Sequence, residues 1–317
     1  MLKVCVLGLG YVGLPVALNI SRKFKTIGFD ISLKRIKKLN RKVDDNNEFK
    51  RNDFIKKKIK FTNKKQDLAD SNIYIICVPT PIKIGNLPDL SHIENSVSII
   101  SKYIKVGDII ILESTVYPGV TEKFAKFLEN KSGLKNNKDF FMCFSPERIN
   151  PGDNSKNLKN INKIFAVNNS DKKMISIVKK VYKLISRKLI FTKKIQEAET
   201  AKAIENTQRD LNIALFNEIL ILSKKINLDF NEIIRLAATK WNFIKFKPGL
   251  VGGHCLPVDP YYLSYIAKKN KFRTNTLLSG RSTNNNMKNY LINEIFKCIK
   301  KNELNNKAKI LILGISY

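Results

Sequence analysis

Short runs of apolar residues recur through the first half of the chain, with amphipathic stretches between them. Residues 3–7, 71–78, 108–112 and 140–144 are mostly hydrophobic, and each run has the length of a β-strand. Near-continuous apolar runs of this length are typical of parallel strands that are covered on both faces. The pattern predicts an α/β unit in which strands and helices alternate around a parallel sheet.

The second half of the chain has a helical pattern instead. Its longest feature extends from about residue 196 to residue 227, where apolar side chains such as Ala203, Leu211, Ala214 and Leu215 supply a core-facing stripe. We therefore predict a long connecting helix that leads into an all-helical domain.

A glycine-rich turn, Gly8-Leu-Gly10-Tyr-Val-Gly13, follows the first apolar run and precedes a helical stretch. In this context Gly8 permits a tight turn, Gly10 lets the backbone approach a pyrophosphate, and Gly13 allows close helix packing. The N-terminus of the helix offers N–H groups to phosphate charge. The segment predicts a dinucleotide site, which includes Tyr11 and Val12.

The next strand pattern ends in Asp30. A carboxylate at this position accepts hydrogen bonds from ribose hydroxyl groups and repels a 2′-phosphate, which favours NAD over NADP. Arg35 follows one helical turn later and is also able to serve a 2′-phosphate, so the residues alone leave the NADP alternative open.

Together these patterns predict the fold class. We expect an α/β protein with an N-terminal Rossmann-type, doubly wound parallel sheet over residues 1–193, which binds NAD. An all-helical central domain with a long connecting helix should follow over residues 194–305. A chain of 317 residues suits two such domains.

Three of the apolar runs end in polar residues: Thr80, Glu113, Thr115, Glu147 and Arg148. Ordinary turn chemistry explains any one of these positions. Open α/β sheets bind ligands beyond the carboxyl ends of their strands, so the succession favours a ligand site there.

The net charge of +31 comes from 58 Lys and Arg residues against 27 Asp and Glu. The basic residues are spread along the chain and are not interleaved with stacking aromatics, which argues against a nucleic-acid site. Such an excess favours anionic small molecules through long-range steering. The apolar runs are too short to span a membrane, and we expect no metal site.

The cysteines are five in number and form no C-x-x-C pair. Cys5, Cys77 and Cys143 lie in apolar runs, where buried reduced thiols are expected. Cys255 differs, because it follows two glycines and precedes Pro257, a residue favoured at the first position of a helix. A thiolate near a helix N-terminus is stabilised by the helix dipole, so Cys255 is a candidate nucleophile.

The sequence offers three candidates for the side chain that acts together with this thiol. His254 adjoins Cys255 in sequence and is expected to point elsewhere, so Lys202 and Asp259 are preferred. Lys202, Asn206 and Arg209 share one face of the predicted long helix. That polar face is equally typical of a solvated surface, although Asn206 is a poor helix former.

Six motifs occur in an order that is more specific than any one of them. They are Gly8-Leu-Gly-Tyr-Val-Gly13, Cys77-Val-Pro-Thr-Pro81, Glu113-Ser-Thr-Val116, Ser145-Pro-Glu-Arg148, the helix of Lys202 and Asn206, and Gly252-Gly-His-Cys255. The set resembles the UDP-glucose/UDP-N-acetylhexosamine 6-dehydrogenase family over essentially the whole chain.

Within that family, the sequence resembles the branch that acts on UDP-N-acetylhexosamines. His254 and Val258 stand where the UDP-glucose enzymes typically carry serine and lysine, and Pro151 replaces a second glutamate. The segments Asn206-Thr-Gln-Arg-Asp-Leu211 and Trp241-Asn-Phe also resemble the N-acetyl branch. The sugar epimer stays open.

The resemblance implies a four-electron oxidation of the C6 hydroxymethyl group to a uronic acid, with NAD as the acceptor. Cys255 would form a thiohemiacetal and then a thioester with the sugar. The family also implies roles for five other residues. Lys202 would stabilise the oxyanion, Asn206 would orient the oxyanion or a water molecule, and Asp259 would orient Lys202. Glu147 would act as the acid/base in hydrolysis, and Thr115 would bridge the cofactor and a water molecule.

The family also implies binding contacts. Thr80 and Thr115 would touch NAD. The nucleotide-sugar site would be lined by Glu147, Arg148, Ile149, Lys202, Asn206, Arg209, Gly249 and Gly252.

Residues 306–317 look like the first strand of a further, UDP-binding domain, after which the sequence ends. We therefore expect one of three cases: a fragment of a longer protein, a protein whose UDP-binding domain is a separate partner chain, or a decayed relative with impaired turnover of UDP-sugars. The family further implies a homodimer and a role in cell-envelope polysaccharide synthesis. The N-terminus has no charged leader, which predicts a cytoplasmic protein.

Two alternatives belong to other functional classes. A two-electron, NAD-dependent hydroxyacid-type dehydrogenase shares the dinucleotide unit, the long helix and a catalytic lysine, but it needs no cysteine. An inactive binding remnant would reduce no NAD with any sugar nucleotide.

Overall fold

The computed structural model describes residues 2–55, 57–148, 160–168, 171–302 and 309–313. The chain forms two compact units. The first comprises residues 1–83 and 88–202, and the second comprises residues 84–87 and 203–317.

An eight-stranded sheet is the centre of the first unit. Its strands are β1 (Lys3–Leu7), β2 (Lys25–Phe29), β3 (Ile59–Thr62), β4 (Ile73–Ile76), β7 (Ile109–Leu112), β8 (Phe141–Phe144), β9 (Asn162–Ala166) and β10 (Lys188–Thr192). Two short strands, β5 (Ile82–Lys83) and β6 (Leu87–Pro88), pair with each other outside this sheet. The spatial order is β10-β9-β8-β7-β4-β1-β2-β3. The order reverses between β1 and β4, and ligands of doubly wound sheets bind at such a switch point.

Helices fill the connections of the first unit. They are α1 (Gly13–Ile20), α2 (Leu33–Asn40), α3 (Ser91–Ile100), α4 (Val120–Ser132) and α5 (Lys172–Tyr182), with 3₁₀ helices at Arg51–Phe54 and Lys65–Asp70. Every residue of β4 and of β7 is buried, as the continuous apolar runs predict. The predicted α/β class is therefore confirmed.

Two strands depart from the parallel pattern. β9 pairs antiparallel with β8 through Phe144 and Ala166, and β10 runs parallel to β9. A parallel neighbour needs a crossover connection, whereas an antiparallel one does not. The pairing sets the last residue of β8 beside the last residue of β9, so the beginning of β9 lies beside the residues that follow β8.

The buried thiols belong to this core. Cys5, Cys77 and Cys143 are buried, as predicted, and burial raises the pKa of each thiol far above its usual value. They are therefore protonated at neutral pH and unsuited to nucleophilic chemistry.

The second unit is helical, as the pattern predicts. The long helix α6 (Ile195–Lys225) extends from the first unit into the second, which also contains α7 (Phe230–Ala237), α8 (Asp259–Lys269) and α9 (Asn275–Lys301). A Cβ atom on Gly280 of α9 would lie 2.4 Å from Leu211 Cδ2 of α6, so the glycine lets these two helices approach closely. Within the described residues, no helix combines the length and hydrophobicity that crossing a bilayer requires.

Candidate functional site

The glycine turn after β1 has the geometry of a dinucleotide-binding loop. Gly8 has a φ of 88°, and a Cβ there would lie 2.9 Å from the carbonyl oxygen of Cys77. A Cβ on Gly13 would lie 1.8 Å from the carbonyl oxygen of Gly8, whereas a Cβ on Gly10 would meet nothing within 4 Å. Gly8 and Gly13 are thus required by the fold, while Gly10 leaves open space beside the backbone.

The first turn of α1 offers its N–H groups without a side-chain cap. The N-cap residue is Val12, and the turn contains no acidic residue. Uncapped N–H groups at a helix start are suited to bind the oxygens of a phosphate. This end of α1 fits the pyrophosphate of a dinucleotide.

Asp30 lies at the end of β2, next to the glycine turn. Its Oδ2 accepts a hydrogen bond from the Leu9 N–H at 2.9 Å, and its Oδ1 accepts one from the Ser32 N–H at 2.9 Å. These bonds fix the carboxylate, and each oxygen retains a lone pair that is suited to a ribose hydroxyl.

Arg35 is already engaged by the protein. Its Nε donates to the Leu9 carbonyl at 3.0 Å, and its guanidinium group forms an ion pair with Asp44 at 2.8 Å. The Arg35 side chain is only 11% exposed and that of Asp44 is fully buried. Asp44 therefore compensates the charge of Arg35 within the fold. The hydrogen bond from Arg35 to Leu9 stabilises the glycine turn.

The structure brings Thr80 and Thr115 together. The Thr80 hydroxyl donates to the Thr115 carbonyl oxygen at 2.7 Å, and the neighbouring Ser114 hydroxyl donates to the Val78 carbonyl at 2.6 Å. These bonds join the loops that follow β4 and β7, on the side of the sheet where the glycine turn lies. Tyr11, on the turn itself, is exposed.

A buried cluster of charged residues lies at the carboxyl ends of β7 and β8. We call Glu113, Glu147 and Lys163 the carboxylate–lysine cluster. Lys163 Nζ lies 2.7 Å from Glu113 Oε2 and 3.1 Å from Glu147 Oε2. Tyr182 donates its hydroxyl to Glu113 Oε1 at 2.7 Å. Lys163 and Tyr182 are fully buried, Glu113 is 1% exposed and Glu147 is 8% exposed.

The charges of the cluster act strongly on one another. Burial alone would lower the pKa of Lys163, but the charges of Glu113 and Glu147 outweigh it and raise that pKa. Burial raises the pKa of Glu113, and Lys163 opposes this effect. Burial and the nearby Glu113 raise the pKa of the Tyr182 hydroxyl. Both effects favour the protonated forms, namely the ammonium group of Lys163 and the hydroxyl group of Tyr182.

Of the two predicted substrate residues that follow Glu147, the structure describes Arg148. The Arg148 N–H donates to Glu147 Oε1 at 2.6 Å, and Arg148 Nη1 donates to the Asn162 carbonyl at 3.2 Å. The predicted substrate residue Ile149 lies outside the described residues.

Glu199 anchors the start of the long helix to α4. Its carboxylate accepts hydrogen bonds from the Gly119 N–H at 2.6 Å, the Thr121 N–H at 2.9 Å and the Thr121 hydroxyl at 2.7 Å. Lys202 lies one turn further along α6 and is buried. Among the residues that the structure describes, none forms a hydrogen bond or ion pair with the Lys202 ammonium group. The Glu199 hydrogen bonds fix the turn of α6 that precedes it.

Replacing Glu199 by Gln should destabilise the protein by about 1–3 kcal/mol, because the amide would set an NH₂ group against backbone N–H donors. Urea unfolding followed by circular dichroism measures the change. Glu197→Gln is the matched control, since Glu197 lies on the same helix turn and its side chain is 62% exposed. The control should change the unfolding free energy by no more than about 0.5 kcal/mol. Equal effects of the two variants would contradict the anchoring role.

Cys255 lies in the second unit, in the turn that precedes α8. The thiol is exposed, and the Cys255 carbonyl accepts hydrogen bonds from the N–H groups of Val258 and Asp259, each at 3.0 Å. The prediction that Pro257 begins this helix was wrong, because α8 begins at Asp259 and Pro260 occupies its first turn. Proline suits either position, so the sequence did not distinguish the two. Cys255 still leads directly into the helix start.

Asp259 is held by Asn206 of the long helix. Asn206 Nδ2 donates to Asp259 Oδ2 at 2.6 Å, and Asp259 is 2% exposed. Since the amide nitrogen faces the carboxylate, the amide oxygen of Asn206 remains to accept a further hydrogen bond. Arg209, on the same helix, is exposed.

A buried polar network fixes the loop that contains Gly249. Asn217 donates to the Gly249 carbonyl at 3.0 Å and accepts from the Gly249 N–H at 2.7 Å, so it pairs with the backbone in both directions. Asn217 also donates to Asn284, which donates to Asp210, and Asp210 forms an ion pair with Arg281. Gly249 is therefore placed by α6 and α9, whereas Gly252 lies half-buried further along the loop.

Sequence reasoning missed several of these residues. They are Lys163, Tyr182, Glu199, Asp210, Asn217, Arg281 and Asn284. Each is a polar side chain in a helix or strand whose partner lies far away in the sequence, so no local motif marks it.

Comparison with known proteins identifies the family. Residues 2–186 match the UDP-glucose/GDP-mannose dehydrogenase family, NAD binding domain, and residues 196–286 match the central domain of the same family. The chain is 43% identical to Protein CapL of Staphylococcus aureus over 317 residues, which are 99% of this chain and 74% of that protein. It is 41% identical to the UDP-N-acetyl-D-glucosamine 6-dehydrogenase of Pseudomonas aeruginosa, with 100% and 75% covered.

Solved structures agree with these matches. The UDP-D-ManNAc dehydrogenase of Pyrococcus horikoshii superposes with a TM-score of 0.86 at 34% identity, over 96% of this chain and 73% of that chain. The UDP-N-acetyl-mannosamine dehydrogenase Cap5O of S. aureus superposes with a TM-score of 0.80 at 29% identity, over 94% and 72%. The chain therefore belongs to the UDP-glucose/GDP-mannose dehydrogenase family, and it is an NAD-dependent nucleotide-sugar dehydrogenase.

Proposed function

We propose that this enzyme oxidises the C6 hydroxymethyl group of a UDP-N-acetylhexosamine to the carboxylate, through a covalent intermediate on Cys255. The relatives at 41–43% identity, where named by activity, act on UDP-N-acetyl-D-glucosamine. The observation that carries the proposal lies in the second unit. The exposed thiol of Cys255 comes just before the start of α8, and the first residue of α8, Asp259, accepts a part-buried hydrogen bond from Asn206.

The overall reaction balances as R–CH₂OH + 2 NAD⁺ + H₂O → R–COO⁻ + 2 NADH + 3 H⁺. In each of the two oxidations, the chemistry that NAD⁺ supplies when bound is the acceptance of a hydride, which is one hydrogen with two electrons. The chain's own residues hold the sugar, form and break the bond to carbon, and move protons.

Cys255 is the proposed nucleophile. Its sulfur bonds to C6 at the aldehyde level of oxidation, and the same bond breaks when water releases the carboxylate. A covalent bond prevents a free aldehyde from escaping between the two oxidations. Cys5, Cys77 and Cys143 are buried with raised pKa values, which leaves Cys255 and Cys298 as exposed thiols.

Three further side chains have proposed roles at C6. The Lys202 ammonium group stabilises the negative charge that develops on the C6 oxygen, because it is buried and has no carboxylate partner among the described residues of its unit. Asn206, fixed by Asp259, accepts a hydrogen bond from the attacking water. Glu147 takes a proton from that water during hydrolysis.

The first unit favours NAD over NADP. The Asp30 carboxylate lies where a ribose binds, and its charge repels a 2′-phosphate. Arg35 does not oppose this preference, since Asp44 already compensates its charge. The glycine turn and the uncapped start of α1 supply the pyrophosphate contacts.

Counting NADH tests the proposal. The protein is incubated with excess NAD⁺ and with UDP-GlcNAc, UDP-ManNAc, UDP-GalNAc or UDP-glucose, and the NADH formed is compared with the sugar consumed by chromatography. We expect two NADH per sugar, with an N-acetylated sugar preferred by kcat/KM. One NADH per sugar would indicate a two-electron dehydrogenase instead, and no NADH from any sugar nucleotide would indicate a binding remnant.

A further inference from the structure

Asn217, on α6, is a fully buried amide that pairs with the backbone of a loop. Its Nδ2 donates to the Gly249 carbonyl at 3.0 Å, and its Oδ1 accepts from the Gly249 N–H at 2.7 Å. We call residues 243–252 the Gly249 loop. These residues form neither helix nor strand, so their backbone polar groups need partners from elsewhere in the protein. One side chain of α6 thus satisfies both polar groups of Gly249.

The preceding residue of α6 holds the same loop by apolar contact. Phe216 is 5% exposed, and its ring centroid lies 6.1 Å from that of Phe243 and 6.0 Å from that of Phe246. Two successive residues of α6 therefore hold the Gly249 loop, one near its beginning and one at Gly249. The chain reaches Cys255 six residues after Gly249.

A chain of hydrogen bonds sets the direction of the Asn217 amide. Asn284 Nδ2, on α9, donates to the Asp210 main-chain carbonyl at 2.9 Å and to Asp210 Oδ1 at 2.8 Å. A main-chain carbonyl only accepts, so the Asn284 amide turns its nitrogen toward Asp210 and its oxygen toward Asn217. Asn217 Nδ2 donates to that oxygen at 2.9 Å, which leaves Asn217 Oδ1 for the Gly249 N–H.

Packing alone does not account for these buried amides. Asn217 is 0% exposed and Asn284 is 4% exposed, although α6 and α9 already pack closely where Leu211 lies against Gly280. Burying an amide costs free energy unless it is hydrogen-bonded, and apolar side chains would join the two helices without that cost. The amides differ in that they specify a direction, and the direction ends at the Gly249 peptide.

Gly249 leaves space for a ligand on the side that Asn217 does not occupy. A Cβ on Gly249 would meet no described atom within 4 Å, and its φ lies outside the left-handed region. Among the described residues, neither packing nor backbone conformation therefore requires a glycine here. Open space beside a glycine Cα allows another molecule to approach the backbone closely.

We propose that Asn217 is a positioning residue for the nucleotide sugar, and that Asn284 acts through it. By pairing with both polar groups of Gly249, Asn217 holds the loop so that the open side of Gly249 faces the bound UDP-sugar. Asn284 fixes the amide direction that this pairing requires. The inference rests on the proposed function, which places the sugar beside the loop that leads to Cys255.

Amide hydrogen exchange tests the hold on the loop without any ligand. Protein labelled with ¹⁵N-glycine has 14 glycines, and Gly249→Ala assigns the resonance of Gly249. In Asn217→Ala the Gly249 N–H should exchange about tenfold faster or more, because its acceptor is removed. Asn284→Ala removes no partner of Gly249, yet it should raise the same rate about threefold, because the Asn217 amide loses its support.

Asn212→Ala is the matched control for these rates. Asn212 lies on the same helix, and its Nδ2 donates to the Gln208 carbonyl within that helix at 2.9 Å. The control should leave the exchange rate of Gly249 within about twofold of the wild type. An unprotected Gly249 N–H in the wild type, or equal rates in Asn217→Ala and Asn212→Ala, would overturn the proposal.

Two titrations test the positioning of the ligand: calorimetry with UDP-GlcNAc and fluorescence with NADH. Asn217→Ala should bind UDP-GlcNAc about fivefold more weakly or worse, because the loop is no longer held for it, while its NADH affinity stays within about twofold. KM for UDP-GlcNAc should rise by a similar factor, with kcat changed less than about threefold. Gly249→Ala should also weaken UDP-GlcNAc binding, since its methyl group enters the open side. Equal losses of both affinities would indicate a general structural effect and refute positioning.

The outcomes separate this inference from the proposed function. If the wild-type protein binds no sugar nucleotide, the proposed function fails together with the ligand part of the inference, and the exchange rates still decide whether Asn217 and Asn284 hold the loop. If the wild type binds UDP-GlcNAc and Asn217→Ala binds it equally well, the positioning role alone is overturned. If Asn217→Ala does not fold, Asn284→Ala takes its place, and an unchanged Gly249 exchange rate in that variant refutes the proposal.

Discussion

Replacing Cys255 by alanine is expected to abolish formation of the uronic acid, with kcat lowered by about 10³-fold or more. Such a loss corresponds to about 4 kcal/mol of transition-state stabilisation. The physical reason is that the second oxidation starts from the sulfur adduct at C6, and no other side chain near the start of α8 is a thiol. Any residual NADH should reflect the first oxidation alone.

Stopped-flow absorbance of NADH and mass spectrometry of the sugar product measure the effect. Cys298→Ala is the matched control, because Cys298 is the other exposed thiol and lies near the end of α9. The control should keep kcat within about twofold of the wild type. Acid formation by Cys255→Ala at a near-normal rate would refute covalent catalysis at this residue.

Alanine at Gly13 and alanine at Gly10 should have effects of different kinds. Gly13→Ala sets a Cβ 1.8 Å from the Gly8 carbonyl oxygen, and two backbone segments must move apart. We expect a loss of about 3 kcal/mol or more in the free energy of unfolding, or no folded protein. Gly10→Ala meets no atom of the protein within 4 Å, so it should change stability by less than about 1 kcal/mol.

Gly10→Ala should instead weaken NAD binding by about tenfold or more, since its methyl group occupies the space left for the pyrophosphate. Urea unfolding gives the stability of both variants, and fluorescence titration with NADH gives the affinity. Each variant serves as the control for the other. Equal losses of stability, or unchanged affinity in Gly10→Ala, would show that the turn does not work in this way.

The comparison of these two glycines illustrates what the sequence predicts well. A strand, a glycine-rich turn and a helix are local features, so Gly8, Gly10 and Gly13 were recognisable from their order alone. The apolar runs of β4 and β7 were also recognisable, because a strand buried on both faces needs every side chain to be hydrophobic.

Other features depend on partners that are distant in the chain. Lys163 is the second residue of β9, directly after Asn162, and a lysine beside another polar residue at the start of a strand is usually solvated. It is buried because Glu113, fifty positions earlier, compensates its charge. In the same way Arg281 is buried by its pairing with Asp210 across two helices. Local periodicity contains no information about such pairs.

The contrast between buried and exposed thiols has a practical consequence for counting functional molecules. Cys5, Cys77 and Cys143 are shielded in the core, so a maleimide reagent should leave them unmodified while the protein is folded. In a Cys298→Ala background, Cys255 is then the single reactive thiol of the chain. The amount of reagent consumed per chain would report the fraction of a preparation whose nucleophile is intact, and rates could be expressed per competent molecule.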